Sequence, residues 1–327
     1  MDVVYYTNKG GREVNEDSLF MTDGAYVVCD GLGGHDSGEV ASNCAVKVMS
    51  ELCSADTPYT PDLINTFYLR ANQAVIALKE QALTTIVGGF IRDGIFYYQS
   101  VGDSRLYYFR DNRRLTQTKD DSVCQAAVDL GSMDYEDIRT SEDRSRLLKV
   151  LGNDPELKII RRYDPITMQE GDAFLVCSDG FWEHVLDGEM EDTLRDAVDA
   201  EEWLNVMLRI QYSRAKNHDD NYTVICGIIG QEDVTGKVYE EEPKSAAPEK
   251  QPEMTAKTPE DPATETSPAG TAPPEHSEAF KEHIPEAPAS DGSQFKKIDS
   301  GKTVEYSDDE VSAEPEKRGF FSRLFGR

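Results

Sequence analysis

Six carboxylates of this sequence share one setting. Glu16, Asp17, Asp30, Asp103, Asp179 and Asp220 all stand where an apolar, strand-like run begins or ends. Asp30 follows Ala25-Tyr26-Val27-Val28-Cys29, a density of Val, Tyr and Cys that suits a buried strand. Gly31, Gly33, Gly34 and His35 come directly after it. Glycines there let the backbone turn tightly and bring bare carbonyls and amides close to a ligand. Asp103 follows Gly102, Asp179 precedes Gly180, and Asp220 precedes Asn221 and a final strand. A plain turn or a cap accounts for any one of them, since Asp-Gly is common in turns. As a set they read differently. Converging carboxylates repel unless cations lie between them. An oxygen-only set with no requirement for His or Cys points to Mg2+ or Mn2+. Two such ions about 3.5–4 Å apart activate a bridging water as nucleophile. Arg12 lies just upstream, and a guanidinium can grip phosphate oxygens with two parallel hydrogen bonds.

The elements that must position these acids are legible as patterns. Residues 2–6 read as a first strand, and Ser18–Met21 and Ala25–Cys29 as a hairpin about Thr22-Asp23-Gly24. That hairpin brings Glu16, Asp17 and Asp30 to one end. Val40, Ala41, Cys44, Ala45, Val48, Met49 and Leu52 recur at helical spacing from Ser37, and a second amphipathic helix runs from about Pro61 to Ala82. Strands are expected at Thr84–Arg92, Ile95–Val101, Ser104–Arg110, Leu157–Tyr163, Asp172–Cys177 and Asn221–Ile229. Residues 116–157 read as a surface flap with short helical patterns at Val123–Leu130, Met133–Ile138 and Arg146–Leu151. Helices follow Asp179-Gly180 through about Lys216. Antiparallel strands with helices packed outside make an α+β fold.

The 327 residues carry a net charge of −28, which argues against nucleic acid as a general partner, because phosphate backbones need Lys and Arg. None of the six cysteines forms a CxxC pair, and several sit in apolar runs, so they read as buried hydrophobes in a reducing compartment. No signal peptide or membrane-spanning stretch is read, and a cytoplasmic protein is expected. The composition breaks near residue 231. From there to Arg327 lie 22 acids, 12 bases and 11 of the 15 prolines. Such a segment cannot bury enough apolar surface to offset its ordering entropy, so 1–230 is expected as the folded domain and 231–327 as a disordered tail. The last residues, 317–327, reverse the charge: four bases, three Phe and one Leu with no acid. That end suits docking to an anionic membrane surface, the inner membrane face, or to a partner groove. The bland alternative is an end of no consequence.

Five motifs in order, Arg12-x-x-Asn15-Glu16-Asp17, Asp30-Gly31-x-Gly33-Gly34-His35, Gly102-Asp103-Ser104-Arg105, Ser178-Asp179-Gly180 and Asp220-Asn221-x-Thr223-Val224, resemble the metal-dependent Ser/Thr protein phosphatases, the protein phosphatase 2C or PPM family, in its bacterial branch. The resemblance covers residues 1–230 and leaves out the tail. It implies a four-layer α-β-β-α sandwich of two antiparallel sheets flanked by helices. It also implies that Asp30 bridges two metals, that Glu16 and the Gly31 carbonyl serve one of them, and that Asp179 and Asp220 serve the other. Asp17 would orient bound water, Asp103 with Asp179 would match a third, weaker metal site, and Arg12 would bind the substrate phosphate. The implied reaction is hydrolysis of phosphoserine or phosphothreonine by a metal-bridging hydroxide, without a phosphoenzyme, in a monomer that opposes a bacterial Ser/Thr kinase.

There are departures from the family pattern. Leu32 stands where many eukaryotic members carry a His proposed as general acid, and His35 is weighed as a substitute against a structural role in its turn. Leu83-Thr84-Thr85 replaces a common Gly-Thr-Thr. Thr118-Lys119-Asp120-Asp121-Ser122 replaces an Asp-His-Ser stretch, and Asp120 and Asp121 are expected to add negative charge that disfavours acidic phosphopeptides. The rival to an active phosphatase is a regulatory or scaffold protein that binds phosphoproteins without efficient turnover and recruits partners through its tail, where Thr303 is a candidate phosphorylation site.

Overall fold

The computed structural model describes residues 1–33, 37–78, 82–159, 161–216 and 219–234, with two short strands at 296–297 and 304–306. All described residues belong to one compact unit.

Strands numbered along the chain form two antiparallel sheets. The first runs β12 (Lys296–Lys297), β1 (Asp2–Asn8), β11 (Tyr222–Ile228), β10 (Ala173–Cys177), β7 (Arg105–Arg110) and β8 (Arg113–Gln117). The second runs β13 (Val304–Tyr306), β2 (Asp17–Thr22), β3 (Ala25–Leu32), β5 (Ile86–Arg92), β6 (Ile95–Val101) and β9 (Ile166–Thr167), with β4 (Leu83–Thr84) beside the end of β3. Side chains alternate across a strand, and here both faces are apolar. In β1, Val3 and Tyr5 face the core between the sheets, while Val4 and Tyr6 face the outer core. In β2, Leu19 and Met21 face inward and Phe20 outward. Rings from both sheets interlock at the centre: Phe174 lies 4.8 Å from Tyr26 and 5.3 Å from Phe96 between ring centroids.

Helices cover both outer faces. Helices α1 (Ser37–Leu52) and α2 (Pro61–Ala77) pack on the second sheet through Ala41, Ala45, Met49, Phe67 and Tyr68. Helices α3 (Val123–Asp129), α4 (Asp179–Trp182), α5 (Asp187–Asp196) and α6 (Ala200–Arg214) pack on the first through Trp182, Met190, Trp203 and Leu204. The starts are encoded locally. Thr60 caps α2 by accepting from Leu63 N–H, with Pro61 in the first turn, and Asp199 caps α6 by accepting from Glu202 N–H at 2.8 Å. The result is the expected four-layer α-β-β-α sandwich. All six cysteines are free thiols, five of them buried. No helix among the described residues is long and apolar enough to cross a membrane.

Three expected elements take another form. Leu157–Tyr163 is not a strand in its described residues; side chains hold it instead, with Tyr163 stacked on Tyr98 at 4.9 Å and Gln99 Nε2 donating to the Arg161 carbonyl. Arg146–Leu151 is not helical: Leu147 bridges to Ser122 and Leu151 to Thr84, closing the flap at its base. The strand expected at Thr84–Arg92 is split at Thr85, whose N–H donates to the Asp30 carbonyl and whose hydroxyl accepts from Asp30 N–H and bonds the Ser104 hydroxyl.

Most of the tail expected from residue 231, including 317–327 and Thr303, lies outside the described residues, as does His35. Three short described elements fall within it. Helix α7 (Gln231–Val234) carries Asp233, which pairs with the Met1 amine at 2.9 Å, and the other two are β12 and β13.

Candidate active site

The antiparallel registers bring the acids to one end of both sheets. Asp17 opens β2 directly opposite Asp30 near the end of β3. Asp103 lies between β6 and β7, and Arg105 pairs with Cys177, so Asp103 and Asp179 emerge from neighbouring strands. Asp220 precedes β11, which pairs with β10.

Each acid is held by its backbone. Asp30 N–H donates to Thr85 Oγ1 at 3.0 Å, and its carbonyl accepts from Thr85 N–H and from Thr84 Oγ1, both at 2.8 Å. The altered Leu83-Thr84-Thr85 stretch thus still supplies the two hydroxyls that fix Asp30. Gly31 N–H donates to the Glu16 carbonyl at 3.1 Å. Ser178 Oγ donates to Asp17 Oδ2 at 2.7 Å and accepts from Thr223 N–H at 2.9 Å, which joins the two sheets at the cluster. Asn221 accepts from Glu16 N–H through Oδ1 at 2.8 Å and donates through Nδ2 to the carbonyls of Lys9 and Val14, so it carries the whole Arg12 loop.

Two glycines allow the closest approach. A Cβ on Gly10, whose φ is +58°, would stand 2.1 Å from the Asp220 carbonyl oxygen, and one on Gly180 would stand 2.1 Å from that of Asn221. The Asp220-Asn221 backbone is pinned between two positions that have no room for a methyl group.

Behind Asp103 lies a buried ionic pillar. Arg105 donates two hydrogen bonds to Asp120, each 2.8 Å, with both side chains at 2% exposure or less. The Trp182 ring covers the guanidinium, 3.5 Å from carbon to centroid, and its indole N–H donates to the Asp103 carbonyl at 2.9 Å. Asp121 pairs with Lys149 and Arg161, and its carbonyl accepts from Leu148 N–H at 2.7 Å. This corrects the expectation for these two acids. Asp120 and Asp121 are internally neutralised and anchor the pillar and the flap, so they offer substrate no free negative charge.

Burial pushes the carboxyls of Glu16, Asp17, Asp30, Asp103 and Asp179 upward, with repulsion from neighbouring acids adding to it. Desolvation, then Asp17 and Asp179, hold Asp30 well above the usual carboxylate range, and desolvation with Asp103 does the same to Asp179. Asp17 and Asp103 are each raised to about 7, chiefly by desolvation. A cation among these groups reverses that cost. Two of their oxygens, Asp17 Oδ1 and Asp179 Oδ1, are buried without any hydrogen-bond partner. Orphaned anionic oxygens and an all-oxygen donor set fit a hard divalent cation. Among the described residues no three His, Cys, Asp or Glu side chains already close around one point. Arg12 lies at the rim, its Nη2 2.7 Å from Asp220 Oδ2, with the two side chains 54% and 42% exposed. A surface hollow of about 620 Å3 between Tyr98, Arg110 and Arg162 is lined by none of these residues.

These shifts give a pH signature. Unfolded, the carboxyls titrate near 4; folded without metal, Asp17 and Asp103 titrate near 7. The folded state binds more protons between those values, so the stability they contribute is present below about 4 and is lost as pH rises through about 7. Metal-free protein is expected to lose about 5 °C or more of Tm between pH 5 and pH 8, and saturating Mn2+ to remove most of that slope. Calorimetry with and without chelator reads both.

A four-layer sandwich with buried carboxylates at one end of its sheets fits the architecture of a metal-dependent hydrolase. The comparisons narrow the class. Residues 11–218 match the family described as Protein phosphatase 2C. The chain is 29% identical over 229 residues to the serine/threonine phosphatase stp of Listeria welshimeri, covering 67% of this chain and 88% of that one. It is 31% identical over 231 residues to the serine/threonine protein phosphatase PstP of Mycobacterium tuberculosis, covering 65% of this chain and 42% of the relative. The crystal structure of that M. tuberculosis phosphatase superposes with a TM-score of 0.59 at 25% identity, over 70% of this chain and 99% of the other. A structure of the PstP catalytic domain in complex with two manganese ions gives the same TM-score at 24% identity, over 69% and 99% of the two chains. The chain belongs to the protein phosphatase 2C family, and it is a protein phosphatase.

Four residues that position the site were not singled out in the sequence for that role: Asn221, Ser178, Trp182 and Asp120. The first two lie inside the recognised motifs, next to Asp220 and Asp179, and adjacency was the available signal. Nothing local marks Trp182 or Asp120, whose partners come from other elements.

Proposed function

We propose that this phosphatase hydrolyses phosphoserine and phosphothreonine in proteins, opposing a Ser/Thr kinase, with Mg2+ or Mn2+ held by Glu16, Asp30, the Gly31 carbonyl, Asp179 and Asp220. The observation that carries the reading is the pair of orphaned, fully buried oxygens, Asp17 Oδ1 and Asp179 Oδ1, beside Asp30. When bound, the cations supply charge neutralisation and an activated water. The chain supplies the rest. Ser178 ties up Asp17 Oδ2 and leaves the unpartnered Oδ1 to orient the attacking water. Arg12 exchanges its exposed bond with Asp220 for the substrate phosphate, so that its guanidinium orients the ester for in-line attack. Asp103, whose carbonyl accepts from Trp182, would take a third cation together with Asp179. On the flap, Arg144 pairs with Glu183 beside Asp179, which holds the flap over the site.

The test is hydrolysis of a phosphothreonine peptide under EDTA, Mg2+ and Mn2+, comparing wild type with Asp179→Ala. Metal-dependent turnover lost in the variant supports the reading; a folded, metal-replete wild type without turnover overturns it in favour of a binding role. Arg12→Ala removes only a half-exposed side chain, so folding is expected to be unchanged. It removes charge-assisted bonds worth about 1.5–3 kcal/mol, so kcat/KM for the phosphopeptide falls about 10- to 100-fold. Steady-state kinetics over a substrate range, with circular dichroism as control, checks it.

A further inference from the structure

The outermost strand on one side of each sheet comes from the far end of the chain. Lys296 and Lys297 pair with Tyr5 and Val4 of β1 in the first sheet. Val304, Glu305 and Tyr306 pair with Met21, Phe20 and Leu19 of β2 in the second. Both host strands are unusual as edges. Beyond the Asp that begins each, neither strand contains a charged residue or Pro. Natural edge strands are ordinarily short, charged or interrupted, because an open apolar edge is a template for another chain. The register matches the pattern of the segment. Val304 and Tyr306 stand opposite Met21 and Leu19, both of the inter-sheet core, and the charged Glu305 stands opposite Phe20.

The sequence supports the same segment independently. The tail holds 11 prolines, yet none lies between Pro288 and Pro315. A stretch that must add to a sheet has to be free of them, because proline cannot donate to a ladder. Sixty-one residues separate Val234 from Lys296, a tether long enough to reach any part of the domain surface.

We propose that the edges β1 and β2, one in each sheet, are β-addition sites whose resident occupants are Lys296–Lys297 and Val304–Tyr306 of the same chain. These segments close two apolar edges and guard them against other chains. Val304–Tyr306 also stiffens β2, the strand that begins at Asp17. An extended-peptide reader of Val304–Tyr306 would have to draw that segment off β2, so partner recruitment and edge exposure become one event.

Hydrogen exchange on the full-length protein tests this, with light scattering to fix the oligomeric state. In wild type the amides of Val304–Tyr306 are expected to exchange at least about 10-fold more slowly than in a free peptide of residues 292–308, with the protein monomeric. Equal rates overturn the proposal. Protection that appears only in a dimer also overturns it, since the occupant is then a second copy. The full-length variant Val304→Pro/Tyr306→Pro is expected to speed exchange at Leu19–Met21 at least about 10-fold, leave Val27–Cys29 unchanged, and self-associate with rising concentration. Adding the free peptide is expected to restore protection at Leu19–Met21. Unchanged exchange there in the variant overturns the proposal. If the variant loses protection everywhere, the wild-type measurement against the free peptide decides alone.

Discussion

Replacing Asp30 by asparagine is expected to lower kcat/KM for a phosphothreonine peptide by at least about a thousandfold, roughly 4 kcal/mol of barrier. Asp30 is the acid with the most crowded surroundings: Asp17, Asp179, Asp103 and Asp220 all raise it, and its backbone is locked on both sides by Thr84 and Thr85. The amide keeps that lock and the shape and loses only the charge. The same change is expected to stabilise the metal-free protein, by about 2–5 °C in Tm at pH 7.5, because it removes one carboxylate from a buried cluster that repels itself. The stabilisation brought by Mn2+ should shrink in parallel. Activity and metal-free stability therefore move in opposite directions, which separates loss of a ligand from loss of the fold. A variant that keeps more than a tenth of wild-type turnover, or that is less stable than wild type without metal, contradicts the assignment of Asp30.

Asp120→Ala is expected to cost about 3–5 kcal/mol of stability, the largest such effect from a single change outside the apolar core. It leaves the Arg105 guanidinium buried beneath Trp182 without its counterion. Nothing in the surroundings replaces two charge-assisted bonds, and the phenols of Tyr107 and Tyr135 meet the guanidinium at 3.2–3.3 Å without carrying compensating charge. Asp120→Asn retains hydrogen-bonding capacity and is expected to cost less. Removing both partners together, as Arg105→Leu/Asp120→Leu, is expected to cost less than Asp120→Ala alone, because no unpaired charge remains. Urea unfolding of the three variants reads the order. An Asp120→Ala variant within about 1 kcal/mol of wild type would show that water reaches the pair.

The acids that the fold brings to one end of its sheets were legible because each is marked locally. A strand-forming run stops, a glycine follows, and a hairpin with Asp23-Gly24 in its turn fixes Asp17 opposite Asp30. The α+β layering was legible from the same alternation. What escaped depends on partners distant in the chain. Asn221 takes its meaning from Glu16, Lys9 and Val14, more than two hundred residues earlier. Asp120 looked like exposed charge because an acid beside another acid carries no sign of the arginine that will bury it. Leu157–Tyr163 has strand-like composition, but its edge position is satisfied by a stacked tyrosine and a glutamine in place of a ladder. Residues 304–306 have the right alternation, yet three residues in a long acidic tail are too few to register as a period.

The glycine seam at Asp220-Asn221 bears on how this family is surveyed. When a gene is duplicated and one copy drifts free of selection, a single methyl group at Gly10 or Gly180 wedges the chain off the Asp220-Asn221 backbone while every acidic side chain stays spelled in the sequence. Such a copy would pass an inventory that counts acids and would still be inert. The two glycines, silent in the chemistry, are therefore the better census marks for separating working copies from relics in a genome.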